Sequence, residues 1–266
     1  MDTDTTLRAR ADDASFKVGG FSIDILVQGF PGKTVCHGGL GWSTVVLIRS
    51  RGKVAMIDTG NFNVRSLLID GLKKHGLKPA DLTDLLLTHA HWDHCVNWTL
   101  FPKSRIVIGA HELAWAVKEP WGETPVPELY VRELQQWPTA HLAKDGEEVL
   151  PGITAHMMPG HTPGHLIYVL KGSERDVIFT GDAAKNRVEL LGGKADNTYD
   201  QSVSMASIAT IWTLWRRRPG SILVPGHDIP MTQTDGRIEY LASRTAVVKA
   251  WFGNDLETMT SFELKA

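Results

Sequence analysis

Cysteine is scarce in this chain, with only Cys36 and Cys95 among 266 residues. Two are too few for a disulfide framework, which excludes the stapled secreted scaffolds and makes a reducing compartment the simpler expectation. Long apolar runs are missing as well. No stretch reaches the ~18 consecutive apolar residues that a membrane-spanning helix needs, so no membrane association is expected. Residues 1–20 are polar and acidic and lack the apolar centre of a secretory signal; they read as a loose N-terminal extension, with the cytoplasm as the expected location. Charge of one sign is not in excess either. The formal net charge is −2 and the only tight basic run is Arg216-Arg217-Arg218, so no nucleic-acid partner is expected. Internal repeats and low-complexity tracts do not occur.

What the chain does have is enough apolar material, 42% against 22% charged, to bury a sizeable core over a length suited to one large domain, residues 1–266. Short apolar runs predict strands at 21–27, 44–48, 54–57, 85–88, 106–108, 153–158, 166–170, 177–180 and 222–224. Helical spacing predicts helices at 64–75, 111–118, 128–136, 201–218 and 237–251, the last docking Ile238, Leu241 and Val247 on the core. The helix from Gln201 has Asp200 as N-cap and stops at Pro219-Gly220, so the arginine triplet reads as cations complementing a helix C-terminus. Between Trp115 and Pro138, Trp115, Trp121, Tyr130 and Trp137 alternate with prolines. This stiff aromatic insertion, 115–138, reads equally as a wall over a binding site or as a contact in a homodimer.

The most informative segment is His89-Ala90-His91-Trp92-Asp93-His94, which places four metal-ligand side chains directly after the apolar Leu85-Leu86-Leu87. Imidazole and carboxylate suit zinc and other borderline divalent ions, and the spacing can serve two ions rather than one. Further candidates follow short apolar or Gly/Pro segments: His161 in Pro159-Gly160-His161-Thr162-Pro163-Gly164-His165, Asp182 after Gly181, and His227 after Gly226. A glycine before each one lets the backbone turn sharply and approach closely. Cys95 adjoins the first segment and reads as a small packing residue.

These residues resemble the metallo-β-lactamase superfamily of binuclear hydrolases, with its His-x-His-x-Asp-His signature followed by single His, Asp and His ligands. The resemblance spans about Phe21 to Asp228. It implies an α+β fold, an αβ/βα sandwich of two mixed β-sheets flanked by helices with the metals at one edge, and it matches Val54-Ala55-Met56-Ile57-Asp58 to a strand whose Asp supports the metal loop. It further implies two divalent cations: zinc is the leading expectation, with manganese and iron also compatible with the donors. His89, His91 and His161 are expected to hold one ion and Asp93, His94 and His227 the other, with Asp182 as the bridge. A metal-bridging hydroxide would then attack the substrate, with Asp93 as proton shuttle.

Within the superfamily the pattern is most similar to N-acyl-homoserine-lactone lactonases and glyoxalase-II-like hydrolases, which implies a small-molecule lactone, thioester or related carboxyl ester as substrate. Those lactonases carry a Tyr just after the bridging Asp, whereas this chain reads Asp182-Ala183-Ala184-Lys185. Lys185 is therefore a candidate for oxyanion stabilisation or for gripping an anionic substrate group. A small phosphodiesterase or nuclease, a β-lactamase-like hydrolase and a non-enzymatic metal-dependent sensor are the alternatives on the same fold.

Overall fold

The computed structural model describes residues 15–34, 38–50, 52–242 and 246–264. Residues 1–14, most of the expected N-terminal extension, and Cys36 lie outside the described residues. The expected apolar runs form strands that collect into two seven-stranded sheets. In chain order the first half supplies β1 (Ser15–Val18), β2 (Phe21–Val27), a small separate hairpin of β3 (Lys33–Thr34) and β4 (Gly38–Gly39), then β5 (Val45–Ser50), β6 (Lys53–Ile57), β7 (Asp84–Leu86), β8 (Arg105–Gly109) and β9 (Ala140–Ala143). Apart from the hairpin, these make one sheet in sequence order, antiparallel up to β6 and parallel from β6 to β9. Helix α1 (Arg65–Lys74) connects β6 to β7. The short α2 (Trp92–Cys95) follows β7, and α3 (Ala110–Ala116) and α4 (Glu128–Gln135) fill the passage from β8 to β9.

The second half supplies β10 (Glu148–Leu150), β11 (Ile153–Met157), β12 (Leu166–Lys171), β13 (Asp176–Gly181), β14 (Ile222–Pro225), β15 (Met231–Thr234) and β16 (Arg237–Tyr240), again in sequence order. Only β13 and β14 run parallel, joined through α5 (Arg187–Gly192) and α6 (Gln201–Arg216). Alternation along each strand sorts residues between layers. Val46, Ile48 and Leu86 share one core with Tyr168, Leu170 and Phe179 of the other sheet, while Val45, Leu47 and Leu85 face outwards onto Leu68 and Leu72 of α1. On the far side Ile208, Ile211 and Trp215 of α6 cover Ile178 and Leu223. This is the α+β sandwich that the resemblance implied.

Two expectations are corrected. Residues 15–18 are not a loose extension but an edge strand paired with β2, with Phe16 and Val18 buried. The helix expected over 237–251 is instead β16 and β17 (Ala246–Ala250), the latter paired only with β18 (Thr260–Leu264). Asp235-Gly236, both at positive φ (52° and 79°), form the tight hairpin turn that joins β15 to β16. That dipeptide carries a hairpin signal stronger than the helical spacing around it. Ile238 still docks in the core, whereas Val247 is 50% exposed. The arginine triplet closes α6 as expected: Arg216 lies over the Trp212 ring and Arg218 pairs with Asp176. Among the described residues no helix is long and apolar enough to cross a membrane.

Candidate metal centre

Parallel pairing sets where the polar residues meet. The C-terminal ends of β6 and β7 share one edge of the first sheet, and those of β13 and β14 share one edge of the second. Asp58 follows β6, the His89–His94 segment follows β7, Asp182 follows β13 and His227 follows β14; His161 comes from the turn between β11 and β12. Carboxyl ends of strands are where open α/β sheets place their ligands. All seven residues expected from the sequence converge there. Ligand atoms of His89, His91 and His161 lie within 4.8 Å of one another, as do those of His89, His94 and Asp182, and those of Asp93, His94 and His227.

The contacts inside the cluster have the character of ligands facing a shared ion. His161 Nε2 stands 2.9 Å from His91 Nδ1, and His94 Nε2 stands 3.3 Å from His227 Nε2. Asp182 Oδ1 is 3.1 Å from His94 Nε2 and 3.3 Å from His227 Nε2, and Asp182 Oδ2 is 3.3 Å from His161 Nε2. His89 Nε2 and Asp182 Oδ1 are buried without a hydrogen bond of good geometry. Buried polar atoms rarely stay orphaned, so a donor set with unpaired atoms aimed at one point fits metal ions.

Tautomers are fixed from behind. Asp58 accepts from Thr88 N (2.8 Å) and Thr88 Oγ1, while His94 Nδ1 donates to its Oδ2 at 2.8 Å, which leaves His94 Nε2 free as a ligand. Thr88 Oγ1 lies 3.0 Å from His89 Nδ1 and so frees His89 Nε2 in the same way. Asp58 itself sits at φ 54°, a strained conformation for a non-glycine residue held by these bonds. Asp58→Ala should therefore weaken metal at the position His94 serves by ~10- to 100-fold, read by competition with a chromophoric chelator. The glycines before the ligands serve backbone contact: at Gly181 (φ 48°) a Cβ would stand 2.7 Å from Thr88 Cβ, and at Gly226 one would meet the Asp182 carboxylate.

Two residues missed in the sequence also serve the centre. His165 Nε2 accepts from Asp182 N at 3.0 Å and its ring stacks on His89 with centroids 4.8 Å apart. Its place four residues after His161 in one Gly/Pro-rich turn was the available signal. Glu112, wholly buried, accepts from Ala90 N, Thr162 Oγ1 and Gly164 N. Nothing in its neighbourhood in the sequence marks it.

Burial pushes the His91 imidazole down to about 4, with Asp93 and Asp182 partly opposing, and pushes His165 down to about 3. His227 goes the other way, up to about 9, because Asp182 and Asp93 outweigh burial. Between pH 6.5 and about 3 an unfolded chain binds protons at residues 91 and 165 that the folded chain refuses, so stability falls as pH falls. The His227 contribution is fully present below 6.5 and does not oppose this, while Glu112, whose carboxyl burial drives up to about 7, gains stability as pH falls from 7 to 4.5 and offsets only part of the loss at the two histidines. The metal-free protein should thus show a denaturation midpoint that drops steadily from pH 6.5 to 4; a flat profile would contradict neutral burial of these rings.

Above the cluster opens a pocket of about 700 Å³, with His91, Asp93, His161, Asp182 and His227 on its floor. Trp92 and Pro125 form one wall, and Trp92 N donates to Pro125 O. The 115–138 insertion therefore reaches the site through Pro125 and through Trp115, whose ring lies 6.3 Å from His91 and 6.0 Å from Tyr199; Trp121 remains exposed against Arg132. A second part of the lining carries Lys185, Glu189, Asp196 and Lys33. Lys185 Nζ donates to buried Glu189 Oε1 (3.2 Å) and to Asp196 O, and Lys33 pairs with Asp196 at 2.6 Å.

A family model of the metallo-beta-lactamase superfamily matches residues 38–227, a span that contains all seven candidate ligands. A probable metallo-hydrolase of Mycobacterium bovis is 25% identical over 244 residues, covering 75% of this chain and 76% of that protein. The N-acyl homoserine lactonase of Bacillus cereus is 26% identical over 162 residues, covering 59% of this chain and 60% of the lactonase. Among solved structures AidC, a dizinc quorum-quenching lactonase in complex with its product, superposes with a TM-score of 0.70 at 16% identity, over 87% of this chain and 97% of that one. At such identity the likeness is one of fold. Sandwich topology, ligand order and the family match together establish that this chain belongs to the metallo-beta-lactamase superfamily.

Proposed function

We propose that the chain is a two-metal hydrolase of uncharged carboxyl esters, lactones and thioesters included, with zinc as the first candidate for both ions. The observation that carries this reading is the convergence of three overlapping His/Asp ligand sets on the floor of one open pocket. His89, His91 and His161 would hold one ion, Asp93, His94 and His227 the other, and Asp182 both. Divalent ions there supply a water acidic enough to ionise near neutral pH and a Lewis acid for the carbonyl under attack.

The chain's own residues do the rest. Asp93 is the ligand carboxylate most open to the pocket, its side chain 16% exposed against 5% for Asp182. Burial alone would raise its carboxyl, but His94 and His227 beside it hold it below the usual value, so it stands ionised, the form in which the carboxylate can take the proton of the attacking water and pass it to the leaving oxygen. Trp92 and Pro125 offer an apolar surface to an acyl or alkyl chain and keep water from that side. The fold shared with the dizinc lactonase and the sequence relation to the Bacillus cereus lactonase support lactones as the leading members of the class.

Preference for uncharged substrates follows from the charged part of the lining. Lys185 is the cation nearest the floor, but its charge is matched by Glu189, and that of Lys33 by Asp196. Lys185 therefore serves as a strut of the wall rather than as a hand for the oxyanion. Lys185→Met alone should strand the buried Glu189 carboxylate and lower thermal stability, whereas the paired Lys185→Met/Glu189→Gln variant removes both charges and should change the ratio of kcat/KM between matched neutral and carboxylated esters by less than about twofold, because the pair carries no net charge. A selective loss on the carboxylated ester would return Lys185 to substrate binding. For the function itself, the metal-loaded protein is assayed on neutral lactones, thioesters and aryl esters beside phosphodiesters. Turnover confined to the phosphodiesters would overturn the reading.

A further inference from the structure

Glu112 is a buried acid that takes part in none of the ion pairs among the described residues and is too far back to be a ligand. It stands in the first turn of α3 and reaches two loops at once. Oε1 accepts from Ala90 N at 2.8 Å, and Oε2 accepts from Thr162 Oγ1 at 2.7 Å and Gly164 N at 3.1 Å. Ala90 lies between His89 and His91, and Thr162 directly follows His161. One carboxylate therefore ties together the backbones that carry the three-histidine set. The loops meet α3 at backbone contact: a Cβ on Gly164 would overlap the Glu112 backbone nitrogen, and one on Gly109 would come within 2.8 Å of Gly164 O.

Only a carboxylate completes this arrangement. Three donors converge on two oxygens, and an amide of the same shape would turn an NH2 group against at least one of them. Burial drives the carboxyl up to about 7 even with the three donors holding it down, so an ionised Glu112 is a standing cost to the fold. A group retained at such a cost, beside the ligands but not among them, calls for a role in the centre. The other ligand set has supports of its own, Asp58 directly on His94 and the Ser43 hydroxyl on the Asp93 carbonyl; Asp58 reaches the three-histidine set only indirectly, through the Thr88 hydroxyl on His89.

We propose that Glu112 is a positioning residue specific to the metal position formed by His89, His91 and His161: it sets the spacing of the two loops and acts through the ligands, never on substrate. The inference rests on reading these histidines as metal ligands. A role in stability alone would lower both positions together or neither.

The test titrates chelator-stripped protein with Zn(II) against a chromophoric chelator, and with Co(II) followed by visible absorption, for wild type, Glu112→Gln, Thr162→Val and Asp58→Ala. In Glu112→Gln one of two binding steps should weaken by ~10- to 100-fold while the other stays within about threefold, and the Co(II) band lost should differ from the band lost in Asp58→Ala. Thr162→Val removes one donor without touching the carboxylate and should weaken the same step by a smaller factor, which keeps the test open if Glu112→Gln fails to fold. Equal weakening of both steps in either variant, or no change in Thr162→Val, overturns the proposal. A wild type that binds fewer than two ions overturns the two-metal reading and this inference with it, and is recognised before any variant is compared.

Discussion

Replacing Asp182 with alanine should leave fewer than two tightly bound metal ions per chain and cut hydrolysis by at least ~100-fold. Its two oxygens face different partners, Oδ1 towards His94 and His227 and Oδ2 towards His161. Among the described residues it is the one carboxylate placed between both ligand sets. The residue is rigidly held: its N–H donates to His165, and neighbouring histidines hold its carboxyl well below the usual range although burial would raise it. Without it the divalent charge at the two positions is opposed by Asp93 alone, so the second ion binds against an uncompensated first one. Metal content by elemental analysis and turnover on a neutral lactone, measured on the same sample, decide the matter. Two ions retained with full turnover would refute the shared-ligand role.

For Asp93→Ala the expectation separates two kinetic constants. Turnover should fall by ~100-fold or more while KM changes by no more than about threefold, since the proposed task of the Asp93 carboxylate is to move a proton during reaction rather than to hold the substrate. The comparison is made on samples with matched metal content, because Asp93 also belongs to the set with His94 and His227. An unchanged kcat would remove the shuttle role. A rise in KM alone would place Asp93 in substrate binding.

Much of this centre was legible before any coordinates because its ligands are concentrated. His89, His91, Asp93 and His94 occupy six residues, and Asp182 and His227 each follow an apolar strand and a glycine. Strands of the parallel regions were legible for a related reason: Leu85-Leu86-Leu87 and Ile106-Val107-Ile108 are buried on both faces and read as continuous apolar runs. The C-terminal region misled because Ile238, Leu241 and Val247 fall at helical spacing by coincidence, while the Asp235-Gly236 turn between them and β15 demands a hairpin. Glu112 escaped notice because its burial depends on donors distant in sequence, Ala90 and Gly164, whereas Glu189 stands only four residues after Lys185 and what the sequence does not show is that the pair is buried together. In the sequence Lys185 reads as a candidate for oxyanion stabilisation or for gripping an anionic substrate group; it lines the pocket, and its pairing with Glu189 is not visible in the Asp182-Ala183-Ala184-Lys185 stretch alone.

The central claim, that two ions held by these seven residues hydrolyse a carboxyl ester, is tested most directly by adding Zn(II) stepwise to chelator-stripped protein while following hydrolysis of a neutral acyl lactone. Activity should be absent without metal, rise with added ion and reach its plateau at two equivalents per chain. Full activity in the stripped protein, or a protein that binds two equivalents and opens no lactone, thioester or ester, would contradict it.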